Sequence, residues 1–238
     1  MLRFVILCLV LLISPFLVAQ SLMSAEELLD KSIQYHDPNG KWGTQMLPLK
    51  LTETRPNGAD RNTLIHIDLL NEQFIIEQMR DGHQIIQNVT KGNCSYQLDG
   101  RAKISEEEKK KHRLNCQRST TIRDYYTYLW GLPMKLKDPG TIISPDVKST
   151  FFQGKSCYAI RIHYSEEVGK DIWYFYFDPI NYELIGYRFY HDERKNDGEY
   201  ITLEGIEKIN GLHLPKKRNW YVNKDDQYLG SDILEQKN

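Results

Sequence analysis

The regular spacing of turn residues restricts the fold of this 238-residue chain more than any other feature. Turn pairs such as Asp81-Gly82 and Asn210-Gly211 separate short runs that are rich in Ile, Leu, Tyr and Phe. Short runs joined by tight turns are typical of an antiparallel meander, in which neighbours in sequence pair in the sheet. The predicted strands cover residues 47–51, 64–70, 74–80, 83–90, 94–98, 158–164, 171–177, 184–190, 199–209 and 212–222.

Three segments break this alternation and predict helices. Residues 24–27 form a capping box, from which a helix runs to about residue 35. Residues 105–113 place Glu and Lys four apart, as on an exposed helix, and residues 121–130 carry an apolar stripe before a Gly and a Pro. The stripe consists of Ile122, Tyr125, Tyr126 and Leu129. The chain is therefore mainly β with added helices (α+β), and a partly closed, curved sheet would need those helices as a lid on its concave face.

The N-terminus predicts export. Arg3 precedes an almost wholly apolar run from Phe4 to Val18, and the small residue Ala19 follows. This order is that of a cleaved signal peptide, residues 1–19, and the run is too short to favour a permanent transmembrane anchor. We expect a single β-rich domain over residues 20–238, located in the periplasm or secreted. An uncleaved N-terminal anchor is the alternative.

Three cysteines remain after that cleavage: Cys94, Cys116 and Cys157. Export permits a disulfide, and three pairings are possible. We favour Cys94–Cys116, because these two residues flank one segment that interrupts the meander. Such a bridge would stabilise the fold by about 3 kcal/mol on a loop-entropy estimate. The alternative is three reduced, buried thiols.

The charge balance and the motifs exclude some function classes. The 31 Lys and Arg residues nearly balance 32 Asp and Glu residues, which argues against nucleic acid as a partner. Motifs for a serine nucleophile, a phosphate-binding loop and a zinc protease are missing from the sequence. We therefore predict no enzyme activity, no cofactor and no metal site.

Weaker enzyme signals remain as alternatives. His66 and Asp68 share a strand face, and the segment 191–193 is His-Asp-Glu, but neither set has a third ligand at a recognisable spacing. A hydrolase or metal-dependent enzyme would use His36, His191 or Glu193. For His36, the end of the first helix is a simpler interpretation.

Apolar side chains supply the positive signal. The strand Asp-Ile-Trp-Tyr-Phe-Tyr-Phe at 171–177 is apolar on both faces, so it is either covered on both faces or lines a cavity on one. We expect a cavity between sheet and helices that binds an apolar ligand. Its predicted lining is Trp130, Leu132, Met134, Trp173 and Phe175. The alternative is that these residues fill an ordinary core.

Two resemblances to known protein families add to this interpretation, and the first of them points to a carrier of apolar groups. The stretches "FDPINYELIGYRF" (177–189) and "EYITLEGIEKINGLHLPKKRNWY" (199–221) resemble the LolA/LolB-like superfamily of periplasmic lipoprotein carriers. That resemblance implies a twisted antiparallel, partly open β-barrel with helices covering its concave face, and the binding of acyl chains or other apolar groups. The chain departs from those carriers by its segment 105–113 and its cysteines.

The second resemblance covers nearly the whole mature chain. The stretches "YHDPNGKW" (35–42), "YLWGLPMKLKDPG" (128–140) and "DIWYFYFDP" (171–179) are similar to a family of uncharacterised exported bacterial proteins, and this supplies no activity. The leading hypothesis is a monomeric envelope protein that binds a lipid or a lipid-linked apolar ligand, with contact to a membrane surface. A structural envelope protein with a filled core is a further alternative.

Overall fold

The computed structural model describes residues 23–235, so the predicted signal peptide lies outside the described residues. Its helices are α1 (Ala25–His36), α2 (Glu106–Lys111) and α3 (Cys116–Gly131), with short 3-10 turns at Met134–Lys137 and Glu193–Lys195. The strands are β1 (Leu47–Thr54), β2 (Arg61–Asp68), β3 (Gln73–Arg80), β4 (His83–Thr90), β5 (Asn93–Leu98), β6 (Thr141–Ile143), β7 (Lys148–Phe152), β8 (Lys155–Tyr164), β9 (Ile172–Phe177), β10 (Leu184–Tyr190), β11 (Glu199–Ile209), β12 (Leu212–Val222) and β13 (Tyr228–Leu234).

All of these strands belong to one antiparallel sheet. The order across the sheet is β5-β4-β3-β2-β1-β13-β12-β11-β10-β9-β8-β6, and β7 pairs with β8 off this path. The edge strands β5 and β6 do not pair with each other within residues 23–235, so the sheet curves without closing. The predicted fold class, a partly open antiparallel β-barrel with helices, is confirmed.

One strand that the sequence did not predict joins the two halves of the sheet. Strand β13 pairs with β1 on one side, where Leu51 lies opposite Leu234, and with β12 on the other, where Arg218 lies opposite Asp232. Its sequence mixes Gly, Ser and Asp with apolar residues, so it lacks a clear alternation. Because β13 bridges them, the N-terminal and C-terminal meanders form one sheet.

The main core lies on the concave face, under α1 and α3. Helix α1 packs on β12, whereas α3 packs on β4 and β5. The largest fully buried apolar side chains of this core are Trp130, Tyr187, Phe74, Phe175 and Phe177. The two helices therefore supply the lid that the curved sheet requires.

The convex face of the C-terminal half has its own cover, which explains the apolar pattern of β9. The hairpin β7–β8 folds back so that the Phe152 ring stacks on Tyr176, with ring centroids 4.1 Å apart. A Cβ on Gly186 would overlap the Phe152 ring, so glycine is needed for this approach. Cys157 is buried and unpaired in the same small cluster. The second half of β9, from Phe175 to Phe177, is thus buried on both faces.

Helix α3 is longer than the sequence pattern predicted. It begins at Cys116 rather than near residue 121, because the Asn115 side chain accepts a hydrogen bond from the Arg118 N–H and caps the helix. The cap places Cys116 at the first turn, with its Cα atom 5.5 Å from that of Cys94. The predicted Cys94–Cys116 disulfide is present, and it ties the start of α3 to strand β5.

We expect reduction of this bridge to lower the free energy of unfolding by about 3 kcal/mol, because the unfolded chain gains the entropy of an open loop. Urea unfolding with and without reductant measures the difference, and Cys157→Ala, which leaves the bridge intact, is the control. Non-reducing peptide mapping should find Cys94 linked to Cys116. Alkylation of all three thiols in denaturant without reductant would contradict the bridge.

His36 joins the end of α1 to two strands. Its Nδ1 lies 2.6 Å from the His213 carbonyl oxygen, and its Nε2 accepts a hydrogen bond of 3.0 Å from the Leu184 N–H. A ring that donates at Nδ1 and accepts at Nε2 is neutral. Burial lowers the pKa of His36 to about 4, against the weaker opposing effect of the His213 carbonyl.

This pKa predicts a loss of stability in mild acid. Unfolded histidine takes up a proton near pH 6.5, whereas His36 in the folded protein does so only near the lowered pKa of about 4. The contribution of His36 to the free energy of unfolding is therefore fully present above about pH 6.5. It falls, by roughly 3 kcal/mol, as the pH drops to about 4. Urea unfolding of His36→Gln should show a smaller fall across this window, and the exposed-site control His66→Gln should behave as wild type. An undiminished fall in His36→Gln would disprove the assignment.

Candidate functional site

An aromatic groove runs along helix α3, on the side that faces the C-terminal half of the sheet. It has a larger part of about 620 Å³ and a smaller part of about 390 Å³. Asp124, Tyr128 and Trp173 line both parts, so the two adjoin each other at these side chains. We call it the α3 groove and define it by its aromatic wall: Tyr125, Tyr128, Trp173, Tyr187, Phe189 and Trp220.

Helical spacing brings one stripe of α3 to the groove. Thr121, Tyr125 and Tyr128 recur at i, i+4 and i+7, which places them on one face of the helix. Tyr126 and Trp130, on the neighbouring face, are buried in the main core. The helix therefore has one face in the core and one beside the groove.

The opposite wall comes from strands β9, β10 and β12. Trp173 contacts Phe189 with ring centroids 4.9 Å apart, and Tyr128 reaches Trp173 from the helix at 5.9 Å. Tyr125 stacks over Trp220 at 6.4 Å with an interplanar angle of 22°. Offset and edge-to-face pairs of this kind leave flat apolar surfaces between them, as an apolar ligand requires.

The hydroxyl groups of the smaller part are uncharged at neutral pH. Tyr128 and Tyr164 share a hydrogen bond with their oxygens 2.6 Å apart. Burial raises the pKa of Tyr164 to about 12 and also holds the pKa of Tyr128 well above its usual value. Lys135 forms an ion pair with Asp138 at the edge, and Asp171 lies 2.7 Å from His191. The charges of this rim are thus largely paired, and the wall remains neutral.

A buried polar cluster fixes α3 above the sheet. The Glu53 carboxylate accepts two hydrogen bonds from Arg61, at 2.7 and 2.9 Å, and one from the Tyr126 hydroxyl of α3 at 2.7 Å. Thr63 also donates to Glu53. Nearer the start of the helix, the Ser119 hydroxyl donates a hydrogen bond to the Gln87 side-chain oxygen at 2.7 Å. These contacts all lie on the side of α3 away from the groove, whereas on the groove side the Tyr128–Tyr164 hydrogen bond holds the helix.

Burial alone would raise the pKa of Glu53, but the hydrogen bonds and charge of Arg61, with the Thr63 and Tyr126 hydroxyls, outweigh it and hold the pKa below its usual value. A lowered carboxyl pKa stabilises the fold above the usual glutamate pKa. That contribution is lost as the pH falls through the lowered value. The attachment of α3 is therefore sensitive to acid.

We expect Glu53→Gln to weaken this attachment and to lower the free energy of unfolding by about 2 kcal/mol, because the Arg61 and Tyr126 donors lose their charged acceptor. Hydrogen exchange of the α3 amides should accelerate more than exchange in β11 and β12. The exposed Glu107→Gln is the matched control. Unchanged α3 exchange in Glu53→Gln would show that the carboxylate does not hold the helix.

Of the five residues predicted to line a cavity, only Trp173 lines the α3 groove. Trp130, Leu132, Met134 and Phe175 are buried together in the main core, with 1%, 2%, 8% and 0% of their surfaces exposed. They lie near Trp173, which packs against the same cluster. Contact of these four residues with a ligand stays a prediction.

Sequence reasoning missed the rest of the groove. The sequence pattern places Tyr125 in the apolar stripe of α3, yet its side chain is 45% exposed at the groove mouth. Tyr187 and Trp220 lie in aromatic stretches of β10 and β12, and nothing in those stretches indicates where the two residues meet. The i, i+4, i+7 stripe of Thr121, Tyr125 and Tyr128 is the available signal, because its hydroxyl-bearing side chains differ from the core-facing Trp130.

The histidines considered for catalysis have other partners. Both ring nitrogens of His36 are bonded to the backbone in a buried site. His191 pairs with Asp171, whereas Glu193 accepts from the Tyr174 hydroxyl at 2.5 Å and from Arg161 at 3.3 Å. Among residues 23–235, no group of three or more His, Cys, Asp or Glu side chains is arranged to hold a metal ion.

Comparison with solved structures identifies the fold. A LolA superfamily protein from Nitrosomonas europaea superimposes with a TM-score of 0.51 and 10% identity, over 90% of this chain and 93% of that chain. Two more distant matches are a candidate outer membrane lipoprotein-sorting protein domain from Vibrio parahaemolyticus (TM-score 0.46, 8% identity, 89% of this chain and 88% of that chain) and a DUF1329 family protein from Desulfovibrio piger (TM-score 0.47, 9% identity, 89% and 91%). The fold is the LolA-like open β-barrel, as the sequence resemblance implied.

The chain belongs to a family of unknown function, DUF6503, whose family model matches residues 2–236. Comparison with curated proteins finds no match. In the part of the chain that the structure covers, no helix is long and apolar enough to cross a membrane.

Proposed function

We propose that this protein is exported to the cell envelope and binds a lipid, or another apolar group linked to a lipid, in the α3 groove. The observation that carries the proposal is the groove itself, an aromatic channel whose larger part measures about 620 Å³. Ligand sites usually measure about 300–1,000 Å³ and are lined mainly by apolar and aromatic side chains with a few polar groups.

The expected affinity follows from the area that a chain would bury. Each methylene moved from water into an apolar site contributes about 0.8 kcal/mol. A ten-carbon segment could therefore gain roughly 8 kcal/mol, of which the costs of association consume a part. A longer acyl chain would reach micromolar binding, near −8 kcal/mol.

Export is part of this proposal. Support comes from the apolar N-terminal run followed by Ala19 and from the Cys94–Cys116 disulfide, which suits an oxidising compartment. The LolA-like fold agrees with a location in the periplasm. We further propose that the protein acts as a monomer and touches a membrane surface while loading or releasing its ligand.

One observation favours a second candidate, a structural envelope protein with a filled core. Four of the five residues predicted to line a cavity are packed in the main core, so the closed interior beneath α1 and the end of α3 is filled. A structural protein would leave the α3 groove without a ligand. The two candidates therefore differ in whether the groove binds acyl compounds.

Lipid extraction tests the proposal first. Protein purified from its own envelope, without detergent, should release a stoichiometric lipid or acyl compound into organic solvent. Native mass spectrometry should show the corresponding mass on the intact protein. Empty protein that also ignores dodecanoate and phospholipid in titration would favour the structural candidate.

A charge at the groove mouth tests the location. Because Tyr125 is 45% exposed, Tyr125→Glu should cost little stability while removing the stack on Trp220 and placing a carboxylate beside the acyl chain. We expect the Kd for an acyl probe to rise by about tenfold, which corresponds to about 1.4 kcal/mol. Phe151→Glu is the matched control, since Phe151 is an exposed aromatic outside the groove. Equal loss in both variants would place binding elsewhere.

A further inference from the structure

A buried arginine lies beneath the floor of the α3 groove. Arg218 is 1% exposed, and its guanidinium stacks on the Trp130 ring at 3.8 Å. Its Nη2 donates to the Leu129 carbonyl at 2.7 Å, and the Leu129 side chain lines the groove. Arg218 is two residues from Trp220 on strand β12, so both side chains face the concave side of the sheet.

Most donors of this guanidinium are unused. Within residues 23–235, Nε and Nη1 of Arg218 have no hydrogen-bond partner, nor does the hydroxyl of Tyr187. Tyr187 itself lines the groove. The Arg218 charge counteracts the effect of burial on the pKa of Tyr187, so the two groups are neighbours, yet no hydrogen bond of normal geometry joins them. Buried polar groups in folded proteins are nearly always bonded, so unbonded donors at one place indicate an absent acceptor.

The charged side chains around Arg218 also indicate that an anion is missing. Arg61 is paired with Glu53, and Arg55 reaches the Asp232 carboxylate at 3.6 Å. Among residues 23–235 no carboxylate lies within ion-pair distance of Arg218. Asp232, its buried neighbour across the strand pair, attracts Arg218 from a longer distance, and the Asp232 Oδ1 also has no hydrogen-bond partner. The Arg218 guanidinium therefore has no ion pair in direct contact, and a buried charge is costly unless an anion pairs closely with it.

Holding α3 does not account for this arginine. The contact with the Leu129 carbonyl uses one of five N–H donors, and favourable charge at a helix C-terminus could be supplied by an exposed side chain. A ligand carboxylate would use the remaining donors, since one of its oxygens can accept a hydrogen bond from Arg218 Nη1 and the other from the Tyr187 hydroxyl. Arginine and carboxylate also form strong, directed hydrogen bonds.

We propose that the ligand of the α3 groove is a fatty acyl amphiphile with a free carboxylate, which Arg218 and Tyr187 bind beneath the groove floor. The inference rests on the proposed function, because it requires an acyl chain in this groove. The lining of the groove also carries Asp124, Glu199 and Arg55, but Asp124 and Arg55 already belong to ion pairs, so Arg218 is the cation whose donors remain unused.

Titration calorimetry with three probes of equal chain length tests the inference: dodecanoate, dodecanol and dodecyltrimethylammonium, each below its micelle concentration at neutral pH. We expect dodecanoate to bind wild type at least about tenfold more tightly than the other two, as a charge-assisted hydrogen bond would give. Arg218→Met should remove the preference while the alcohol still binds. Arg188→Met is the matched control, since Arg188 lies on the convex face over the Tyr190 and Tyr200 rings.

Tyr187→Phe keeps the test decisive if Arg218→Met does not fold. It removes one hydroxyl, so the preference for dodecanoate should fall by about threefold with no change for dodecanol. Methyl dodecanoate distinguishes a free carboxylate from an acyl ester, and we expect the ester to bind like the alcohol. Equal affinity of wild type for all probes would overturn the carboxylate assignment while leaving the groove as an acyl site. Failure of every probe to bind would overturn the proposed function itself.

Discussion

The attachment of helix α3 to the N-terminal strands is the constraint on which the rest of the structure depends. A disulfide holds its first turn to β5, and Ser119 and Tyr126 bond to Gln87 and Glu53 of those strands. On the C-terminal half of the sheet, the helix is held at its end by the Tyr128–Tyr164 hydrogen bond and by the bond from Arg218 to the Leu129 carbonyl. Between these attachments it faces β9, β10 and β12 across a space that aromatic side chains line but do not fill.

An open sheet makes this arrangement possible. A sheet that ends at β5 and β6 leaves its apolar concave face open, so helices are needed to cover it. Helix α1 and the end of α3 bury the apolar residues that give the domain its stability. The groove therefore lies beside a packed core, and the residues proposed to bind a ligand differ from those that stabilise the domain.

The sequence predicts the helices and strands better than it predicts which of them contact one another. Turn spacing identified most strands, and the Ser24 cap of α1 is present, with the Ser24 hydroxyl accepting from the Glu27 N–H at 3.1 Å. Strand β13 was missed because Gly230, Ser231 and Asp232 interrupt its alternation. The disulfide was predictable because Cys94 and Cys116 flank the one segment that interrupts the meander.

The groove was harder to predict because burial on a curved sheet depends on strand order. Nothing in the sequence distinguishes Trp130 from Trp173, yet Trp130 is buried in the core and Trp173 lines the groove. Glu53 and Arg218 appear in sequence as ordinary charged strand residues, and only the pairing of β1, β13 and β12 brings them under α3. Long-range pairing of this kind leaves no periodic signal in a single sequence.

A crystal structure with a brominated acyl probe tests the central claim most directly, because anomalous scattering locates the bromine without prior assumptions. A dodecanoate brominated near the middle of its chain should place the bromine between Tyr125, Trp173 and Trp220, inside the α3 groove. A bromine in the opening of about 350 Å³ on the convex face, beside Phe152 and Tyr221, or no ordered bromine at saturating probe, would contradict the groove as the binding site.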